Sequence, residues 1–398
     1  MSRSATARGL KVNATIAVTG VLAFHLLTLV SGRITESRGL GYDGLRYTRM
    51  VEGALSDGTA NTSVRPFVIL LVRIPHALGL DVIQSFQVVN YLAAFLLYLV
   101  LALLLARGGV GVPARVVLLL NLSLAIATSK MFAFYPTLID LGAMAVISTA
   151  FYFAATDRAL PAGVACVAAA ASREFGLAVP LFGIHRSIRR RQWRNVLFYL
   201  PSLAVPFVIR MDALHIVPTG QQPFTAGALA GNLELWTRWP FVVAFAYFSL
   251  TVFGGITVLL WLRPLRMAAT MRREPELATF VGFIVLAAAV GDADIWRYLA
   301  YILPGAMVFA AAALQDLDNE TQRRALVTVT LITLLTQRPF QLMTMETYFT
   351  DWFPLYRASE ANAVPALVAT WGPRLAAVLL ACAGLHLALR RPSPELGA

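Results

Sequence analysis

A bundle of α-helices crossing a lipid bilayer about ten times is the fold class this sequence predicts, and three observations predict it. Hydrophobic residues fill 58% of 398 positions, charged residues 14%, and mean hydropathy is +0.68. A soluble domain carries roughly 25% charged residues, so lipid is the main solvent here. Apolar residues also fall in runs of about twenty, the length a helix needs to cross ~30 Å of hydrocarbon. The arginines behind the +12 charge collect at the ends of these runs. That pattern serves anchoring and topology, not a continuous nucleic-acid face, so no nucleic-acid partner is expected.

The elements follow in order. A short basic start (Arg3, Arg8, Lys11) precedes an apolar run at 12–31, which reads as an uncleaved first span because it has full span length and no clear small-x-small cleavage site. Further spans are expected at 84–106, 116–134, 136–155, 196–212, 240–262, 277–291, 295–314, 325–340 and 364–388. With the N-terminus inside, the clusters at Arg107/Arg115, Arg263–Arg273, Arg323/Arg324 and Arg390/Arg391 all fall on the cytoplasmic side, as do both termini. The run 160–185 breaks this parity as a single crossing, because Asp157-Arg158 and the basic stretch His185–Arg194 both belong inside. A broken helical hairpin, entering and leaving from one side and bending at Ser172-Arg173-Glu174, restores it.

The outer loops are then 32–83, 213–239 and 341–363. The first carries two interfacial helices. From Leu45 to Leu55, apolar Leu45, Met50, Val51 and Leu55 oppose Arg46, Arg49 and Glu52. Pro66 to Leu80 is apolar but short, and Arg73 and Pro75 interrupt it. The tail 392–398 is expected to be disordered. Residues 1–398 form a single integral membrane domain, without internal repeats. Cys166 and Cys382 lie inside apolar runs and form no disulfide framework or CxxC site.

Charges inside a membrane cost at least a few kcal/mol each, so each asks for a reason. Asp43, in Gly41-Tyr42-Asp43-Gly44, stands where the chain first leaves the bilayer. Arg173 and Glu174 sit at the hairpin bend; as helix neighbours they would point apart and each need a separate partner. A buried ion-pair network fixing helix packing is the plainer account of that pair, against a ligand-facing one. In Gly291-Asp292-Ala293-Asp294-Ile295-Trp296-Arg297-Tyr298, Asp294 and Arg297 are spaced to pair on one helix face, leaving Asp292 for a neighbour or ligand. Lys130 is expected to snorkel to the surface, whereas Asp140, four residues after Pro136, falls within a span. Arg65, Arg73, Arg210 and Arg338 are outer-side cations, and a guanidinium fork suits phosphate. Singly, such arginines anchor headgroups; converging, they favour a phosphate-bearing lipid. P-loop, HExxH and GxSxG signatures are missing, and His25 and His386 read as packed residues. No metal site or cofactor is assigned, although Asp43, Asp292 and Asp294 could hold a divalent cation.

An N-terminal span, an outer loop with Tyr42-Asp43-Gly44, Arg65-Pro66-Phe67-Val68-Ile69-Leu70, the broken hairpin at Ser172-Arg173-Glu174, and Arg297-Tyr298-Leu299 leading to Pro304 together resemble bacterial GT-C glycosyltransferases. The resemblance implies an enzyme of the cytoplasmic (inner) membrane with its active site on the non-cytoplasmic face. It implies transfer of a hexosyl or pentosyl group from a polyprenyl-phosphate-sugar donor to a hydroxyl of a glycan, lipid or protein acceptor, with inversion. Asp43 matches the family's catalytic base, positioned to accept the acceptor's proton. Substrate and lipid-phosphate binding would fall to Tyr42, Arg65, Asp140, Arg173, Glu174, Asp292, Asp294 and Arg297. The chain departs from many relatives in lacking a large C-terminal outer domain and in placing Arg-Glu at the hairpin tip.

Two other classes compete. A transporter or flippase for lipid-linked glycans would line its path with membrane charges, and pseudo-symmetric halves with broken helices would favour it. One expected broken helix and an asymmetric helical first loop favour the transferase. Ligases and polymerases of lipid-linked glycans carry a large late outer loop, and 341–363 is modest.

Overall fold

The computed structural model describes residues 3–57, 65–216, 233–237, 239–290, 295–345, 372–380, 382–384 and 386. Among them the regular elements are all helical. The first helix, α1 (Arg3–Val30), packs along α4 (Val82–Arg107) and α5 (Val112–Leu124). Arg115 of α5 donates to the Asn13 side chain of α1, so the first basic cluster is tied to the first helix.

Between α1 and α4 lie the two helices expected in the first outer loop, α2 (Gly41–Glu52) and α3 (Pro66–Ala77). Pro66 opens α3, where its missing N–H leaves no helical bond unmade. At twelve residues α3 is about 18 Å long, short of the ~30 Å hydrocarbon core. Tyr47, Met50 and Val51 of α2 join Val68, Ile69 and Val72 of α3 and Phe86 of α4 in a small buried cluster that seats both helices. Arg73 fastens the end of α2 by donating to the carbonyls of Met50 and Gly53. Leu45, expected on the apolar face, instead stays exposed.

The middle of the chain holds α6 (Asp140–Ala155), α7 (Ala159–Ser172), α8 (Ala178–Arg189) and α9 (Trp193–Ile216). The break between α7 and α8 falls at Arg173, whose backbone is extended, followed by a 3₁₀ turn at Glu174–Leu177. Asp157, just before α7, accepts from Arg186 at 2.8 Å and Arg190 at 2.6 Å, at the end of α8. The two arms therefore begin and end at one level. Both arms rest on α9, and α7 lies between α6 and α9.

The later elements are α10 (Trp239–Thr251), α11 (Gly255–Leu262), α12 (Pro264–Arg273), α13 (Glu276–Val290), α14 (Leu303–Leu314) and α15 (Asn319–Gln337). Helix α14 is reached through Ile295–Leu299 and a tight turn. Most buried apolar side chains join one core that runs from α1 to α15.

Two expected spans are broken. The run 116–134 divides at Ala125, whose backbone is extended, and its halves meet at 67°. The run 240–262 divides at Gly254, with φ of 58°, and its halves meet at 89°. Apolar composition runs unbroken through both bends, so hydropathy cannot see them. Side chains of α15 repair the freed backbone groups: Gln337 accepts from the N–H of Ile126, and Thr333 from that of Gly255. Among the described residues, only Gly9–Val30, Val82–Arg107 and Ile295–Leu314 are individually long and apolar enough to cross a membrane, or five segments if each bent pair counts once. The expected span at 364–388 lies partly outside them. This is an integral membrane fold of helices, but length alone does not give ten crossings. The added breaks also remove one ground for preferring a transferase, since broken helices suit a transporter equally.

Two smaller expectations fail. Lys130 does not snorkel; it is buried and donates to the carbonyl of Arg338. His25 is exposed and bonded to the Tyr91 hydroxyl at 2.8 Å, not packed. Arg338 caps α15 in a left-handed conformation and donates to Gln341, while the side chain of Arg210 lies outside the described residues.

Candidate active site

The site begins at the first turn of α2. A helix start leaves its first N–H groups without helical partners, and the residue ahead of α2, Leu40, offers no side-chain acceptor. Tyr135, from the turn before α6, supplies one. Its phenol oxygen accepts from the N–H of Asp43 at 2.7 Å and of Gly44 at 3.2 Å. Thr137 completes the clasp by donating to the Leu40 carbonyl at 2.7 Å. The motif's glycines answer to this clasp. Gly41 has φ of 69°, and a Cβ there would overlap the Tyr135 ring; a Cβ on Gly44 would overlap the Thr137 hydroxyl. Asp43 is left facing outward with a third of its side chain exposed, 3.8 Å from Arg46. Tyr42 takes the second position of α2; its side chain lies outside the described residues.

Beside this helix lies a chain of ion pairs built from distant segments. Arg65, immediately before α3, grips Glu174 with Nε at 3.3 Å and Nη2 at 3.0 Å. Arg173 reaches the same carboxylate with Nη1 at 3.5 Å. The expectation that Arg173 and Glu174 point apart is thus corrected: it assumed a helix, and the chain is extended at Arg173. Through its other edge Arg173 donates to Asp140 Oδ1, Nε at 3.1 Å and Nη2 at 2.5 Å. Tyr301 donates to the same oxygen at 2.7 Å, and Arg297 to Oδ2 at 2.7 Å. Phe175 stacks on the Tyr301 ring at 4.9 Å and lies tilted against Tyr298 at 5.1 Å.

Asp140 is the first residue of α6, not a position inside it, because the turn after Pro136 delays the helix. Both of its oxygens are taken, and only 3% of its side chain is exposed. It therefore works as a buried hub holding α6, the hairpin tip and the start of the Ile295–Leu314 segment together. Asp292 and Asp294 lie outside the described residues, so the expected Asp294–Arg297 pair belongs to them. Arg297 has Asp140 as a partner.

The ion-pair chain and Asp43 share a neighbourhood. Tyr47, four residues after Asp43 on the same face of α2, is wholly buried against α3. Among the expected residues, Arg65, Asp140, Arg173, Glu174 and Arg297 thus join in one ion-pair chain, and Asp43 stands on the helix that packs on α3, just after Arg65. The sequence reading missed Tyr301, although its place four residues after Arg297 puts both on one helical face. It also missed Tyr47, whose buried hydroxyl has no hydrogen-bond partner among the described residues. Those residues contain no group of three metal-ligating side chains.

No protein-family model matches the chain, and no curated protein matches it. Two solved structures do. ArnT from Cupriavidus metallidurans in the apo state aligns with a TM-score of 0.52 at 18% identity, covering 97% of this chain and 75% of that one. ArnT from the same organism bound to undecaprenyl phosphate gives 0.49 at 14% identity, covering 94% and 75%. ArnT is a GT-C glycosyltransferase, and at such identity the likeness is one of fold.

Proposed function

We propose, from the GT-C fold this chain has, that it transfers a sugar from a polyprenyl-phosphate-linked donor to an acceptor hydroxyl on the non-cytoplasmic face of a bacterial inner membrane, inverting the anomeric centre. The observation that carries this reading is the contrast among three carboxylates. Among the described residues Asp140 has both oxygens occupied, Glu174 is gripped by two arginines, and the Asp43 carboxylate makes only the 3.8 Å approach to Arg46. A general base needs an oxygen free to take a proton, and of the three Asp43 has one. The Tyr135 clasp holds the backbone from which that carboxylate projects.

The chemistry then balances. Asp43 accepts the acceptor hydroxyl's proton as that oxygen attacks the anomeric carbon, and the bond to the lipid phosphate breaks with its electron pair on the phosphate. Arginines stabilise the charge gathering there. ArnT is a lipid-linked sugar transferase, and one of its structures holds undecaprenyl phosphate; the same class of lipid is the partner proposed for this chain.

The test is Asp43→Asn, assayed in membranes with a labelled polyprenyl-phosphate sugar. Expression and folding should be intact and transfer should fall by about 10²–10⁴-fold. Full activity would remove Asp43 as the base, and a matching loss of folding would make it a structural residue.

A further inference from the structure

Arginines at a membrane edge need an anion, and this site satisfies three of them in two different ways. Asp140 is sealed: it is almost unexposed, both oxygens are engaged, and a phenol joins the guanidiniums. Glu174 is open. Its side chain is 31% exposed, it sits on a short 3₁₀ turn, and among the described residues its side-chain partners are guanidiniums at 3.0 to 3.5 Å. Its three side-chain torsions let it swing outward without moving the turn.

The donors it holds are arranged for something larger. Arg65 presents Nε and Nη2 side by side to the two oxygens of Glu174, and Arg173 adds Nη1 to one of them. Arg173 is held in that aim from behind, because Asp140 fixes its Nε and Nη2 edge. Three N–H groups on two forks, that of Arg173 fixed by Asp140, therefore converge on one small anion. The free lipid phosphate, a monoester with more charge and one more terminal oxygen than a carboxylate, makes stronger bonds to such forks, and the donor's diester equals the carboxylate in charge and free oxygens. A carboxylate cannot itself bind phosphate, since the two repel.

We infer that Glu174 is a stand-in anion, which occupies the Arg65–Arg173 fork in the empty enzyme and is displaced by the lipid phosphate. This rests on the lipid-phosphate reading above and reverses the part Glu174 was expected to play in it. The carboxylate keeps two arginines compensated while no ligand is bound. It also competes with the phosphate, so it weakens donor binding and helps the lipid phosphate leave after transfer. Apparent affinity falls by the fraction of molecules in which the fork is free.

The experiment measures binding of undecaprenyl phosphate, without a sugar, to the purified full chain in nanodiscs. Glu174→Gln should bind about five- to tenfold more tightly than the parent. Glu174→Asp, too short to serve both arginines, should also bind more tightly, by a smaller factor. In turnover, Glu174→Gln should lower both the KM for donor and kcat, with stronger inhibition by the lipid phosphate. Unchanged or weaker binding by a folded Glu174→Gln protein overturns the stand-in, and Glu174→Asp decides in the same way if the first variant does not fold. Arg65→Gln separates this from failure of the underlying reading. Affinity lost there but unchanged in Glu174→Gln overturns the stand-in alone. Affinity unchanged in Arg65→Gln, or absent in every protein, overturns both.

Discussion

Tyr135 gives one phenol oxygen to two backbone N–H groups at the start of α2, and the placement of Asp43 depends on it. Replacing Tyr135 with Phe keeps the ring that packs over Gly41 and removes only the acceptor. The freed N–H groups then lose a cap, a change of about 1–2 kcal/mol in stability. Sugar transfer should fall more than that stability loss explains, because Asp43 would no longer be held in one place. Turnover measured beside the unfolding temperature checks this; equal activity would mean the clasp does not set the base. At this scale the sequence was informative about which residues are costly and silent about which of them meet. Asp43 stands out because an acid between glycines serves no apolar packing. Asp140 was equally conspicuous, yet its partners lie 33 and 157 residues away, and that distance hid its role as a hub.

The hairpin of α7 and α8 shows which elements could be read. Charge parity alone required the chain to turn back within 160–185, since the span count puts Asp157-Arg158 on the side where the basic stretch His185–Arg194 belongs. The clasp at its mouth adds Glu276, which accepts from Arg186 at 2.7 Å and Arg189 at 2.9 Å. The bends at Ala125 and Gly254 had no such signal, because their flanks are as apolar as a straight span. The clasp makes a pH prediction. Burial opposes the charge on Asp157, but hydrogen bonding and attraction from Arg186 and Arg190 outweigh it and hold the carboxyl below the usual aspartate range. A folded-state value lower than the unfolded one means stability that is complete above the unfolded value and lost as pH falls through the folded one. Asp157→Asn should therefore unfold at a lower temperature than the parent at neutral pH. The gap should close as pH drops below about 4, the ordinary aspartate range. A gap that stays constant into acid would show that the ion pairs contribute nothing to the hairpin.

At the scale of the whole molecule, α2 and the hairpin tip must share one side of the membrane for the proposed chemistry. The basic cytoplasmic clusters must lie on the other. The ion pairs Arg65–Glu174 and Arg173–Asp140 put the tip, the first loop and the start of α6 at one level. The Asp157–Arg190 pair and the exposed arginines of α12 mark the opposite ends of the same helices. Hydropathy could not set this arrangement, since only three helices among the described residues pass as spans unaided. The charges could, because arginine-rich ends stay inside. Single cysteines test it in intact cells, on a background with Cys166 and Cys382 replaced. A thiol reagent that cannot cross the inner membrane should label Arg49→Cys, on the exposed face of α2, from the outer side. It should reach Arg191→Cys or Arg272→Cys only after the membrane is opened. Labelling of Arg49→Cys only after the membrane is opened, as for Arg191→Cys, would place Asp43 with the cytoplasmic arginines. The donor's phosphate and the base would then face the cytoplasm, and sugar transfer on the outer face would be excluded whatever the geometry around Asp43.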